Sequence, residues 1–302
     1  MIVTQANLQA LRTGFSKNYQ DGVKQAQPNH EKISMVVPSS SASNTMGWLG
    51  QMPGFREWVG PRVVKNLKEH SYAIANKTFE STVGVARDQI EDDNLGVYSI
   101  LMQQMGYKAT MEPGKMVYSL LAAGFSELCY DGQYFFDTDH PVNAEHDGSG
   151  ADSSVSNIQA GVGTNEPWFL LDLSGPIKPI IYQERKKPQF VSLTNIDDTH
   201  VFTNNEFLYG VDYRGNAGFG MWQQAFASRE DLTAENFEIC RAAMRAFKAD
   251  GGEPLGIKPT AIVVGPSNLA AAEKLFGQKT LANGEDNILY RKVEIIETDY
   301  LA

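Results

Sequence analysis

Residues 1 to about 45 hold too few clustered apolar side chains to fold as a unit, and this frames the rest of the chain. Spacing permits a short amphipathic helix around Leu8, Leu11 and Phe15. Polar sequence broken by Gly22 and Pro28 follows, then the serine-rich PSSSASNT at 38–45. Such a stretch buries too little apolar surface to offset the chain entropy lost on ordering. It is therefore an arm, mobile or laid against something else, and a neighbouring subunit is a natural support. The whole chain of 302 residues, 42% hydrophobic, is long enough for two compact lobes beyond that arm.

Charge sharpens the picture. The net charge of −10 is uneven. Residues 1–87 carry ten Lys/Arg against five Asp/Glu, or +5, while the remainder carries sixteen against thirty-one, or −15. An acidic body argues against a general nucleic-acid binder, whose cations gather on one folded face. It fits a chain whose leading segment reaches onto a neighbour's acidic body, although plain drift in surface charge would give the same split. Only Cys129 and Cys240 occur, without a CxxC pair, so neither a disulfide framework nor a structural zinc site is expected. No run of about 18 apolar residues suggests a membrane span, and the start lacks a secretory pattern. The expected setting is a reducing cytoplasm, or a particle assembled in one.

GWLGQMPGFREWVGPR, from Gly47, is dense in Gly, Pro and Trp. Trp48, Phe55 and Trp58 are large rings among turns, without an obvious core of their own. They suit anchors at a subunit contact better than plugs of a domain core. Arg62, Lys65 and Lys68 make the same stretch basic. Strand-like alternation follows, with Phe79, Val83 and Val85 on one side. In RDQIEDDNLG, the acids Asp88, Glu91, Asp92 and Asp93 read as the start of a helix, facing its positive end. That helix carries Leu95, Tyr98, Met102 and Met105 as a buried stripe. Gly106 and Pro113-Gly114 interrupt it, and a second helix with Met116, Val117, Leu120 and Leu121 runs to Gly124.

Turn-rich sequence from 129 to about 165 leads to WFLLDL, a charged turn at QERKKP, and the strand EFLYGVDYR. GFGMWQQAFAS follows after a glycine-marked turn. A helix opening at Asp231 or Thr233 carries Phe237, Cys240, Met244 and Phe247 on one stripe and closes at Gly251-Gly252. Cys240 is a small core residue there. The strand AIVVG, a helix from Ser267 to Gly277 and the strand KVEIIETDYLA complete an α+β pattern.

The stretch DGQYFFDTDHPVNAEHDGSG, from Asp131, is the strongest candidate for chemistry. Asp137, Asp139, His140, His146 and Asp147 could serve a metal-dependent hydrolase. No helix sets the two histidines on one face, as zinc proteases require. The acids also miss the alternation of a calcium loop. Asp-Gly, Asp-Thr and His-Pro are common in surface turns, so a structural loop is the stronger reading. No nucleophile elbow, phosphate loop or dinucleotide fingerprint occurs. No catalytic, cofactor-binding or metal-ligating residue is predicted, and no cofactor.

The order of arm, basic turn-rich hairpin, acid-led long helix and α/β lobe resembles the HK-97-like phage capsid fold. MVVPSSSASNTMGWLGQMPGFREWVGPR, IANKTFESTVGVARDQIEDDNLGVY, CYDGQYFFDTDHPV and GIKPTAIVVGPSNLAAAEKLF are similar to the major head subunit of Mu-like phages and prophages. This resemblance implies an N-terminal arm at 1–45 and an extended hairpin loop at 46–80, lying over an adjacent subunit. It implies a peripheral domain with a spine helix at 81–129 and the first part of an axial domain at 130–180. Strands at 181–230 would return to the peripheral domain, and 231–302 would supply the second axial part and a C-terminal strand. It further implies self-assembly as hexamers and pentamers into an icosahedral shell around double-stranded DNA, held without sequence reading. Scaffold protein, maturation protease and portal would be partners, with the host cytoplasm as assembly site and the virion as destination. A cellular nanocompartment shell of the same fold is the alternative within structural proteins. The candidate subunit-contact residues are Trp48, Phe55, Trp58, Arg62, Lys65 and Lys68.

Overall fold

The computed structural model describes residues 2–49, 72–92, 95–145, 148–159, 165–281 and 283–301. Helix α1 (Gln5–Gln25) opens the chain, its start fixed by Thr4, whose side chain accepts the Asn7 amide at 3.3 Å. Strands β1 (Ser34–Pro38), β2 (Ser43–Thr45), β3 (Ala73–Ala75) and β4 (Lys77–Ala86) follow. The short helix α2 (Arg87–Glu91) precedes the long helix α3 (Gly96–Ala123). Next come β5 (His140–Asn143), β6 (Asp152–Val155), β7 (Trp168–Leu171), β8 (Ile180–Leu193), α4 (Thr199–Asn204) and β9 (Glu206–Phe219). The chain then forms β10 (Ala225–Ser228), α5 (Ala234–Arg245), β11 (Ala261–Val264), α6 (Pro266–Ala272) and β12 (Glu294–Glu297).

Two four-stranded sheets carry the fold, ordered β1-β8-β9-β4 and β10-β7-β11-β12. In the first, β1 runs parallel to β8 while β8, β9 and β4 are antiparallel neighbours. One face of this sheet packs against α1 and α3. Tyr209 meets Phe15 edge-on at 4.9 Å between ring centroids, and Tyr19 lies 5.4 Å from Phe190. In the second sheet the residues of β7, β10 and β11 are all buried and, apart from Ser228, apolar, as expected of strands covered on both faces.

The buried apolar residues divide into two clusters. One gathers Leu8, Phe15, Tyr19, Met102, Met105, Phe207 and Tyr209. The other gathers Val117, Tyr118, Leu121, Phe169, Ile180, Tyr182 and Phe219 with the second sheet. Three elements run through both clusters. Helix α3, with 28 residues, spans about 42 Å at 1.5 Å per residue. The 14-residue strands β8 and β9 each span roughly 48 Å. Local sequence therefore had to stay regular across residues that individually discourage it.

Several expectations are corrected on this ground. The arm helix is not short: it passes through Gly22 and lies against the chain's own α3. Gly106, Pro113 and Gly114 do not divide α3, and all three are buried inside it. Gly22 and Gly106 are where two backbones meet. A Cβ on Gly22 would lie 1.9 Å from the Gln103 carbonyl oxygen, and one on Gly106 would lie 2.0 Å from that of Tyr19. The acids of RDQIEDDNLG do not open α3, whose first turn has no carboxylate; Asp88 and Glu91 belong to α2, and Asp93 lies outside the described residues. Residues 185–187 are not a turn but part of β8, at irregularities in its register with β9. The expected turn at Gly215–Gly218 is the last part of β9. Helix α5 closes at Arg245, before Gly251-Gly252, and α6 begins from Gly265 rather than a Ser267 cap.

Candidate functional site

The 131–150 stretch folds around one buried histidine. His140 opens β5, which pairs with β6, and its side chain is 0% exposed. The surface-turn reading is thus corrected for this residue. Its Nδ1 lies 2.7 Å from Asp131 Oδ2 and its Nε2 lies 3.2 Å from Asn157 Oδ1. The ring stacks on Trp222 at 4.1 Å between centroids. Cys129 Sγ donates to Asp131 Oδ1 at 2.9 Å. Asn157 in turn donates to the Phe135 carbonyl and accepts the Asp137 amide. The network ties the Cys129–Asp131 segment, the start of β5, Asn157 and Trp222 together.

Chemistry at this cluster is constrained by its hydrogen bonds. Burial pushes the Asp131 carboxyl up, but hydrogen bonds from His140, Cys129 and the Gln133 amide outweigh it and hold it below the usual carboxylate range. Burial, reinforced by the Asp131 carboxylate, pushes the Cys129 thiol far above its ordinary range. The thiol faces the carboxylate rather than the imidazole, so this is not an activated nucleophile. Donor atoms of Cys129, Asp131 and His140 lie within 4.8 Å of one another, close enough for a three-ligand metal set. Each of these atoms already has a hydrogen-bond partner, and opening that set would strand buried polar groups.

Among the described residues, the hydrolase set is not assembled around His140. His140 turns to Asp131, which sequence reasoning had not paired with it. Asp137 instead accepts the Tyr134 and Thr138 amides. Its hydrogen bond with Asp139 raises the exposed Asp139 carboxyl. His146 and Asp147 lie outside the described residues. The signal for Asp131 was available: Asp-Gly after a buried Cys-Tyr places that carboxylate on the inner side of a tight turn.

Of the candidate contact residues, Trp48 is 37% exposed, between the buried Met46 and Leu49. Phe55, Trp58, Arg62, Lys65 and Lys68 lie outside the described residues. Other exposed apolar side chains were missed. Val97, Ile100, Leu101 and Tyr107 form a stripe on the outer side of α3, and Phe202 on α4 is 89% exposed. Periodicity had assigned α3 one buried stripe and gave no reason to expect a second apolar face.

The charge split is partly closed within the chain. Lys32 pairs with Glu294 at 2.6 Å, Asn29 donates to the Glu297 carbonyl, and Tyr118 donates to Asn29. The end of the arm is therefore pinned to β12 and α3. No described helix is long and apolar enough to cross a membrane.

Comparison with known proteins places this arrangement. A family model described as the Mu-like prophage major head subunit gpT matches residues 8–301. The major capsid protein of Escherichia phage Mu is 47% identical over 305 positions, covering 100% of both chains. The Mu-like prophage FluMu major head subunit of Haemophilus influenzae is 46% identical, with 99% of each chain covered. A chain from the procapsid of bacteriophage JBD30 matches with a TM-score of 0.87 at 49% identity, covering 99% of this chain and 100% of that one. The fold is that of a phage capsid subunit. Within that class, the chain belongs to the Mu-like major head subunit family.

Proposed function

We propose that this chain is a major capsid protein that assembles as hexamers and pentamers into an icosahedral phage head enclosing double-stranded DNA. The match to the head-subunit family over residues 8–301 carries the reading. Its place is the virion shell, and its role is structural rather than enzymatic. The two hydrophobic clusters support a two-lobed subunit, with α3 as the spine of a peripheral domain and β7, β10, β11 and α5 in an axial one. Residues 1–45 then act as the arm and 46–80 as the extended hairpin, with Trp48, Phe55 and Trp58 anchoring it to a neighbour.

Scaffold protein, maturation protease and portal complete the assembly pathway. DNA is enclosed without sequence reading, since a net charge of −10 disfavours tight binding of a polyanion. Expression followed by negative-stain microscopy and sedimentation tests the reading. Closed particles are the expected product. A chain that stays monomeric under every assembly condition would remove it.

A further inference from the structure

Around Val191, which is 45% exposed, the second face of the β1-β8-β9-β4 sheet stays open among the described residues, whereas Ile74 and Tyr72 close over it at Gly218. Strand alternation sets Leu208, Gly210, Asp212 and Arg214 of β9 on this face, opposite the buried Phe207, Tyr209, Val211 and Tyr213. Register places Leu193 and Gly84 beside Leu208, and Val191 and Thr82 beside Gly210. The result is a mostly apolar groove of about 260 Å³ lined by Thr82, Val191, Ser192, Leu193, Leu208 and Gly210. Gly210 is its floor. A Cβ there would stand 3.0 Å from the Ser81 carbonyl oxygen and 3.1 Å from Thr82 Oγ1 of the neighbouring β4, so glycine keeps this floor low.

Charged side chains bound the groove at both ends. Glu206 folds over Gly84, its carboxylate standing where a Cβ on that glycine would be. At the other end Asp212 pairs with Lys186. An apolar centre with a charged rim is the anatomy of a protein contact.

The same hairpin carries a knob. Between β8 and β9, α4 is capped by Asp198, which accepts the His200 amide, and closed by Asn205 in the left-handed region at φ 53°. This short helix buries Val201 and turns Phe202 outward, leaving it 89% exposed. No other large apolar residue in the described structure is more exposed. A pocket of roughly 150 Å³ suffices for a benzene ring, so the groove has room for one phenyl side chain.

We propose that Phe202 of one copy seats in the Leu193–Leu208–Gly210 groove of a second copy. The inference rests on the shell-forming function, which sets identical copies side by side. Because one chain carries both knob and groove, every copy offers one of each, and stoichiometry is satisfied without another protein. The contact is heterologous, so it can propagate around a ring of subunits.

The test uses two single variants, Phe202→Cys and Val191→Cys, co-expressed so that they enter the same shells. The native Cys129 and Cys240 are buried and do not compete. Mild oxidation of mixed shells should give disulfide-linked dimers, absent from shells of either variant alone. Phe202→Ala should melt like the wild type as a subunit, since the ring is exposed, yet raise the concentration needed for assembly roughly tenfold or more. Mixed shells that form but yield no dimer would overturn the proposal. So would dimers in Phe202→Cys shells alone, which would mean that the tips meet each other, or Phe202→Ala assembling at the wild-type concentration. Failure of the wild type to form shells would instead reject the function on which the inference rests.

Discussion

At the scale of single residues, two histidines illustrate opposite uses of burial. His140 is held between Asp131, Asn157 and Trp222, and removing its ring strands the buried Asp131 Oδ2, leaving that carboxylate only Cys129 and the Gln133 amide on its other oxygen. His140→Ala should destabilise the subunit by about 3 kcal/mol or more in urea unfolding followed by tryptophan fluorescence. A loss under about 1 kcal/mol would mean that the network does not hold the loop. His30 packs edge-on against Tyr182, and its Nδ1 is buried without a partner. Burial lowers its proton affinity, outweighing the nearby Glu31 carboxylate. The unfolded chain therefore takes up this proton first as pH falls. The contribution of His30 is complete above about pH 6.5 and is lost as pH drops from there through the lower folded value. Unfolding measured between about pH 7.5 and 5.5 should show this decline, and His30→Phe should flatten it. An unchanged slope in the variant would assign the pH dependence to other groups. Asp131 adds a separate loss at lower pH, because its carboxyl is held down in the folded state.

At the scale of elements, the crossing of α1 and α3 is set by glycine. Gly22 meets the backbone at Gln103 and Tyr107, Gly106 meets it at Tyr19 and Val23, and His30 comes to Gly114 further along. The arm thus runs beside α3 in the same direction. Gly22→Ala or Gly106→Ala should push the helices apart and expose Phe15 and Tyr19, seen as faster hydrogen exchange across residues 5–25. Gly14, with nothing within 4 Å of its Cβ position, is the control. Gly14→Ala should stabilise by about 0.5–1 kcal/mol, the ordinary helix preference. If all three variants behave alike, the crossing is not tight. These glycines also show what sequence could and could not reveal. Leu8, Leu11 and Phe15 made the first helix visible, and Thr233 with its apolar stripe made α5 visible. Gly106 and Pro113 were read as breaks because propensity is local, whereas packing on both sides of α3 overrides a proline cost of about 3 kcal/mol. The run Gly215–Gly218 misled for the same reason: those glycines let β9 pass close to Gln183 and Ile74, rather than turn away.

At the scale of the whole molecule, the fold class and family were legible because their segments are long and specific. The His140 cluster was only partly legible: sequence singled out His140, but Asp131 and Asn157 join it through turns that no periodicity encodes. The second apolar face of α3 and the exposed Phe202 were not legible, because apolar spacing alone does not tell an exposed face from a buried one. Charge acts at this scale too. Arg62, Lys65 and Lys68 belong to the basic leading segment, and exposed pairs are worth only about 0–1 kcal/mol each. Placed at subunit contacts, as proposed, they would bias the rate and register of assembly more than one subunit's stability. Reversing all three to Glu should slow assembly at low salt, leave circular dichroism unchanged, and matter less as salt screens over roughly 8–10 Å. Light scattering at the wild-type rate across the salt range would reduce the segment to a solvated face. The most direct test of the central claim is a cryo-electron microscopy map of particles formed by this chain. The account predicts a closed icosahedral lattice of hexamers and pentamers, each subunit fitting density with α3 bridging its two lobes. Discrete monomers, or particles whose repeating density rejects this fold, would contradict it.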